Sequence, residues 1–387
     1  MMGRILTAAL PLLAAAAALT TGLPASHRVV SAAANGPVAR AVLEPLPRLV
    51  LYYQTTHDSL GRPISMLPLI TEKQIALTHL IVCSFHINPG KVLTLNDYPP
   101  DYPLFYTLWN ETEVMKSAGV KVMGMIGGAA AGSFEVQTLD GDTAAFEHYY
   151  AQLRDAIITY GLEGMDLDVE QPMSLAGIYR LVNRLREDFG PDFIISLAPV
   201  ATALRGGANL SGFDYRALDS VAGGEIAFYN AQFYNGFGNM GSTSHYDSVI
   251  NEGWSPRKVL VGQITTPVNG GGYVSNDRLN ATIVELRRKY GQIGGIMGWE
   301  YFNSAPGGLA QPWQWAQVMT QILRPAAVPR LRVSKSQARV LTTAWRESVG
   351  LTGDGFAAGE GGSGTVAGFV LPERFRMNVD YTAMVNA

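Results

Sequence analysis

The chain has 387 residues, 47% of them hydrophobic and 16% charged, with a net charge of −3 and a single cysteine. That apolar share supports a large core, while the near-neutral charge balance gives no basic face for nucleic acid. One thiol excludes an intramolecular disulfide, so the core alone must hold the fold. Cys83, inside the run LIVCSF, reads as a buried residue.

Arg4 precedes an apolar block from Ile5 to Leu19, and small and polar residues follow. This is the layout of a signal peptide over residues 1–25. A membrane anchor is the competing reading, but the block falls short of the ~20 apolar residues of a spanning helix, and Pro11 interrupts it. A secreted, extracellular protein without a membrane anchor is therefore expected. Three N-x-[ST] sequons, at Asn110, Asn209 and Asn280, fit export only weakly. Residues 26–47, rich in Ala, Pro and Val, read as a propeptide or linker.

From Arg48 onward a regular beat appears. Short β-rich runs occupy 48–54, 78–85, 120–128, 162–170, 192–200, 226–235, 257–266 and 294–302. Helix-like segments fill most of the gaps. Residues 143–161 carry apolar positions at three- and four-residue spacing and end on Gly161, which suits a C-cap. Residues 174–190 repeat the design with Ser174 as N-cap, and 282–291 form a third. Alternating apolar strands and helices are the mark of parallel βα units. Eight such units predict a (β/α)8 TIM barrel, an α/β fold, over 48–326. An open doubly wound sheet is the runner-up, but no Gly-rich phosphate fingerprint opens any βα turn. Residues 327–387 read as a C-terminal extension. It begins with an amphipathic helix that clusters Val340, Leu341, Ala344, Trp345 and Val349, and continues into a Gly-rich, partly flexible stretch.

The fourth β-rich run, LEGMDLDVEQPM, holds the chemistry. Asp166, Asp168 and Glu170 stand at every second position, so on a strand all three project from one face. Like charges that close repel, and burying them costs several kcal/mol each unless they are protonated or paired. Stacked carboxylates therefore share a proton, and Glu170, nearest the C-terminal mouth where barrel active sites sit, becomes a candidate general acid. A solvated acidic edge is the bland alternative, against which the flanking residues are too apolar. A divalent-metal site is the sharper one, since carboxylates are hard oxygen ligands; no His accompanies the cluster.

The run EGMDLDVE resembles the D-G-x-D-x-D-x-E signature of glycoside hydrolase family 18, the chitinases and endo-β-N-acetylglucosaminidases, with Glu163 in place of the first Asp. Three further motifs follow the same order: MIGG (125–128), with Met125 where Ser is usual; QFYN (232–235); and MGWEYFN (297–303). Residues 52–88 and 121–140 are similar over long stretches to fungal-type endo-β-N-acetylglucosaminidases of this family.

The resemblance implies a mechanism in which the substrate's 2-acetamido oxygen is the nucleophile, an exception to the two-carboxylate scheme. It implies Glu170 as acid and base, Asp168 as acceptor of the acetamido N–H, and Asp166 as its proton-sharing neighbour. Tyr234 and Gln232 are placed at the acetamido group, Trp299 as the floor of the sugar site, and Asn235 among the binding residues. Tyr53 is a weaker candidate, because either Tyr52 or Tyr53 could face inward. Non-proline cis peptides are implied at Trp299–Glu300 and Ser84–Phe85, while Glu300 has no implied role. No cofactor and no metal are expected. The expected partners are N-linked glycans or glycoproteins, alternatively chitin oligomers, and the expected state is a monomer. A catalytically inactive, lectin-like relative is the reading from another class; the presence of Glu170, Asp168 and Tyr234 weighs against it.

Overall fold

The computed structural model describes residues 46–326 and 333–348. The expected signal peptide, nearly all of the 26–47 segment, Val349 and the Gly-rich tail lie outside the described residues.

The strands, in chain order, are β1 (Arg48–Tyr53), β2 (His79–His86), β3 (Thr94–Leu95), β4 (Lys121–Gly127) and β5 (Gly164–Asp168). They continue with β6 (Ile194–Leu197), β7 (Phe228–Gln232), β8 (Val259–Ile264) and β9 (Gly295–Trp299). All but β3 pair in parallel, and β1 pairs with both β9 and β2, so the sheet closes on itself as an eight-stranded barrel. Strand β3 adds an antiparallel edge to β2. The principal helices are α1 (Pro68–Thr71), α2 (Tyr106–Ser117), α3 (Thr143–Tyr160), α4 (Leu175–Phe189) and α5 (Tyr215–Ala222), then α6 (Ser244–Asn251), α7 (Asn276–Tyr290), α8 (Trp313–Leu323) and α9 (Lys335–Ser348). This is the expected (β/α)8 architecture.

Strand alternation sorts the core into two layers. Val50, Tyr52, Ile81, Cys83, Met123, Met125, Phe228 and Met297 face the barrel interior. Their neighbours Leu49, Leu51, Tyr53, Leu80, Val82, Tyr229 and Ile296 face the helices. A parallel strand covered on both faces must be apolar on both, which is why these segments read as unbroken hydrophobic runs.

Helix α4 presents Ile178, Leu181, Val182 and Leu185 to the outer layer at helical spacing. The Ser174 hydroxyl caps it by accepting from Gly177 N at 2.9 Å, a contact worth about 1 kcal/mol. Gly161 closes α3 in the left-handed region at φ 57°, as its sequence predicts. Asn110 lies buried in α2, 4% exposed, so the folded chain offers no glycan acceptor there.

Three expectations are corrected. Tyr53 is buried in the outer layer and donates its hydroxyl to the Ile64 carbonyl at 2.6 Å; the interior ring is Tyr52, so Tyr53 cannot contact a ligand in the barrel mouth. The non-proline cis bonds are at Trp299–Glu300, as implied, and at Cys83–Ser84, one residue before the expected place. In α9 the core-facing positions are Ala338 and Leu341, against which Val340 is 67% exposed. The helix packs beside α2, and Lys335 pairs with Glu72 at 2.7 Å. Rotation by one position about a helix moves a side chain by 100°, which takes Val340 off the docked face.

Candidate active site

Strand β5 carries the acidic ladder toward the mouth. Asp166 is fully buried, Asp168 is 6% exposed, and Glu170, just past the strand end, is half-buried. Asp166 is held on three sides: Oδ2 accepts from the Tyr52 hydroxyl at 2.5 Å, while Oδ1 accepts from the Ser196 hydroxyl at 2.5 Å and the Asn230 amide at 3.1 Å. The Asn230 amide also lies 3.1 Å from the Tyr52 hydroxyl. These donors come from β1, β6 and β7, so the barrel closes around this carboxyl.

One step up, the Gln232 amide nitrogen lies 3.2 Å from Asp168 Oδ1, 2.9 Å from Glu170 Oε1 and 2.9 Å from the Ala198 carbonyl oxygen. A single side chain thus spans the two upper carboxylates. Burial holds the Asp168 carboxyl well above the usual range, and the charges of Glu170 and Asp166 push it further the same way. Burial also raises Asp166, against the pull of its Ser196, Tyr52 and Asn230 bonds. Burial thus favours the neutral form of both carboxyls. Tyr234, 6% exposed, is raised well above an ordinary phenol, first by burial and then by Asp168, Glu170 and Asp166. It therefore remains a donor, and its hydroxyl makes no side-chain hydrogen bond among the described residues.

The loop after β4 is pressed onto this ladder. Gly128 N donates to the Asp168 carbonyl at 2.9 Å. A Cβ on Gly127, whose φ is +101°, would stand 2.3 Å from that same carbonyl oxygen. Only glycine permits the approach, which gives the MIGG motif a physical reason. Gln171 Oε1 accepts from Gly132 N at 2.8 Å and ties the loop to the segment bearing Glu170.

Trp299 is half-buried at the end of β9, packed edge-on against Tyr52 with ring centroids 5.4 Å apart. Glu300 does not line an open cleft: it is 6% exposed, Oε2 accepts from Gln54 N at 3.1 Å and Thr55 N at 2.8 Å, and Oε1 accepts from the Thr55 hydroxyl at 3.0 Å. It fastens the exit of β1 to the residue beside Trp299. Asn235, at φ 51°, spends its Oδ1 on Gly271 N at 2.8 Å, so its side-chain oxygen serves the loop after β8.

The structure thus brings together Asp166, Asp168, Glu170, Gln232, Tyr234 and Trp299, and leaves Tyr53 out. Sequence reasoning left Tyr52 undecided against Tyr53 and missed Ser196 and Asn230. Two of them carried a signal: Ser196 is the lone hydroxyl in IISLA, and Asn230 shares strand parity with Gln232 and Tyr234.

The model of the family described as "Glycosyl hydrolases family 18" matches residues 48–271. Among solved structures, a fungal endo-β-N-acetylglucosaminidase of that family is 67% identical with a TM-score of 0.72, over 73% of this chain and 100% of the other. A chitinase, ChiC, from Aspergillus fumigatus is 48% identical with a TM-score of 0.65, over 70% and 98% respectively. Chitinase 2 of Rhizopus oligosporus is 31% identical over 211 residues, which are 47% of this chain and 34% of that protein. The chain therefore spans about a third of the length of that curated relative. The family match covers strands β1 to β8 and the acidic ladder together, and the chain belongs to glycoside hydrolase family 18.

Proposed function

We propose that the protein is an endo-β-N-acetylglucosaminidase that hydrolyses the β-1,4 bond between the two core GlcNAc residues of N-linked glycans. The observation that carries this reading is the 67% identity extending over the whole of a fungal endo-β-N-acetylglucosaminidase.

Glu170 protonates the glycosidic oxygen while the acetamido oxygen of the same sugar attacks C1, giving an oxazolinium intermediate. Asp168 accepts the acetamido N–H and offsets the positive charge that develops there. Tyr234 donates to the acetamido oxygen, and Trp299 forms the apolar floor. Water then attacks C1 as Glu170, now a base, takes its proton, and the two inversions restore the original configuration. A conventional retaining enzyme needs a second carboxylate as nucleophile, about 5 Å from the acid. Glu300 is unsuited to that role, because both its oxygens already accept hydrogen bonds from Gln54 and Thr55. A cavity of about 480 Å³, lined by Gln54, His57, His86, Asn96 and Tyr98 among others, offers a polar wall for further sugars. The leader-like first 25 residues place secretion within the same proposal.

A second reading, chitinase, is favoured by the 48% identity to ChiC. The two separate on one experiment. A glycoprotein bearing high-mannose glycans, incubated with wild type and with Glu170→Gln, is expected to show single-GlcNAc stubs on Asn by mass spectrometry with wild type only. Intact glycans alongside cleaved chitin oligomers would establish the chitinase reading. Cleavage by both variants would remove Glu170 as the acid, and cleavage of neither substrate by folded protein would leave a binding protein.

A further inference from the structure

The run Asn269-Gly-Gly-Gly-Tyr273, in the loop after β8, belongs to none of the motifs above. It is seated on the end of β7. Asn235 N donates to the Gly271 carbonyl at 2.9 Å, Gly271 N donates to Asn235 Oδ1 at 2.8 Å, and the Asn239 amide donates to the Gly272 carbonyl at 3.3 Å. Gly270 and Gly272 are required by the fit. A Cβ on Gly270, at φ +147°, would stand 2.4 Å from Asn235 Oδ1, and one on Gly272, at φ +88°, would stand 3.3 Å from the Tyr234 Cα. The loop thus lies flat on the backbone of Tyr234 and Asn235, and what it delivers there is the next residue.

Tyr273 packs against the interior cluster that contains Tyr234, yet remains partly exposed, a position it shares with Trp299. Its hydroxyl makes no side-chain hydrogen bond among the described residues. A purely structural tyrosine at a barrel rim would sink its ring and spend its hydroxyl, as Tyr53 does on Ile64. Tyr273 does neither, and the loop that carries it is fixed by those three hydrogen bonds to Asn235 and Asn239, just beyond the strand that carries Gln232.

We propose that Tyr273 is a substrate-contacting residue, a second aromatic wall beside Tyr234 against which a GlcNAc unit packs. The proposal rests on the site residues acting on GlcNAc-containing glycans and is indifferent to the choice between N-glycan and chitin. A flat ring complements the apolar face of a pyranose, and the exposed phenol can exchange hydrogen bonds with its hydroxyls.

The test uses the full chain with Glu170→Gln, titrated by calorimetry with a GlcNAc trimer and, separately, a high-mannose glycopeptide. Tyr273→Ala is expected to weaken binding about tenfold or more and Tyr273→Phe less than about threefold, with KM rising and kcat little changed when Glu170 is restored. Tyr273→Leu, which keeps the apolar bulk, is expected to lose as much as Ala. Equal binding by the Leu variant would make the ring mere packing and overturn the proposal, as would unchanged affinity on Tyr273→Ala. A parent that binds neither ligand would instead sink the underlying site reading.

Discussion

The two ends of strand β5 hold carboxylates in opposite circumstances. At the N-terminal end Glu163 pairs with Lys121 at 2.8 Å and accepts from Val122 N at 3.1 Å, with a third of its side chain exposed. At the other end, about 15 Å along the strand, Asp166 and Asp168 are buried, and no Lys or Arg pairs with them among the described residues. The first arrangement is an exposed ion pair, worth up to about 1 kcal/mol. The second costs stability, since burial raises both acids and the charges of Glu170 and Asp166 raise Asp168 further. One signature therefore contains a structural letter and three chemical ones. This is also why Glu replaces the usual Asp at 163 without disturbing the site: its longer side chain reaches Lys121, on the far side from the mouth.

Breaking the contrast at its strong end gives the largest effect. Glu170→Gln is expected to lower kcat on a GlcNAc-containing glycan about 10³-fold, within the span of general acid–base catalysis, with an unchanged thermal midpoint. Asp168→Asn should cost about 10²-fold in kcat, while its midpoint holds or rises because a strained charge is gone. A lowered midpoint with full activity would make Asp168 a structural residue.

Glu111, buried in α2 at a distance from the ladder, sharpens the comparison. It accepts from the Ser65 hydroxyl and Met66 N, each at 2.7 Å, and burial raises it to about 7 from an ordinary 4.5. Between those values the folded state binds more protons than the unfolded one. The contribution of Glu111 to stability is therefore full below pH 4.5 and is lost as pH rises through 7, by on the order of 3 kcal/mol. Urea unfolding at pH 5 and pH 7.5 should show a smaller loss in Glu111→Gln than in wild type; equal losses would remove Glu111 as a cause. The smallest effect belongs to the structural end: Glu163→Gln should leave kcat unaltered and stability within about 1 kcal/mol.

Much of this was legible in advance. The eight barrel strands, the helices around Phe146 and Leu181, and the acidic ladder follow from period and parity alone. Parity failed at β1 because Leu49 to Tyr53 is apolar on both faces, so nothing in the run itself marks Tyr52 as the inward ring. Helix α2 escaped notice because it buries the polar residues Asn110, Glu111 and Thr112, of which Glu111 is satisfied by Ser65 and Met66, distant in sequence. The same holds for Ser196 and Asn230, whose meaning depends on Asp166 across the barrel. Glu300, to which the sequence assigned no role, is claimed by Thr55 and Gln54 from the far end of the barrel sequence. What stays hidden in each case is a contact between segments distant in sequence, which no local pattern encodes.

The most direct test of the central claim compares two matched substrates, one with the acetamido group intact on the sugar whose bond is cleaved and one de-N-acetylated there. If the substrate supplies its own nucleophile while Asp168 and Tyr234 hold it, the second substrate is cleaved at least about 10³-fold more slowly. Comparable rates on both, with a glycosyl group trapped covalently on a protein carboxylate, would contradict the account.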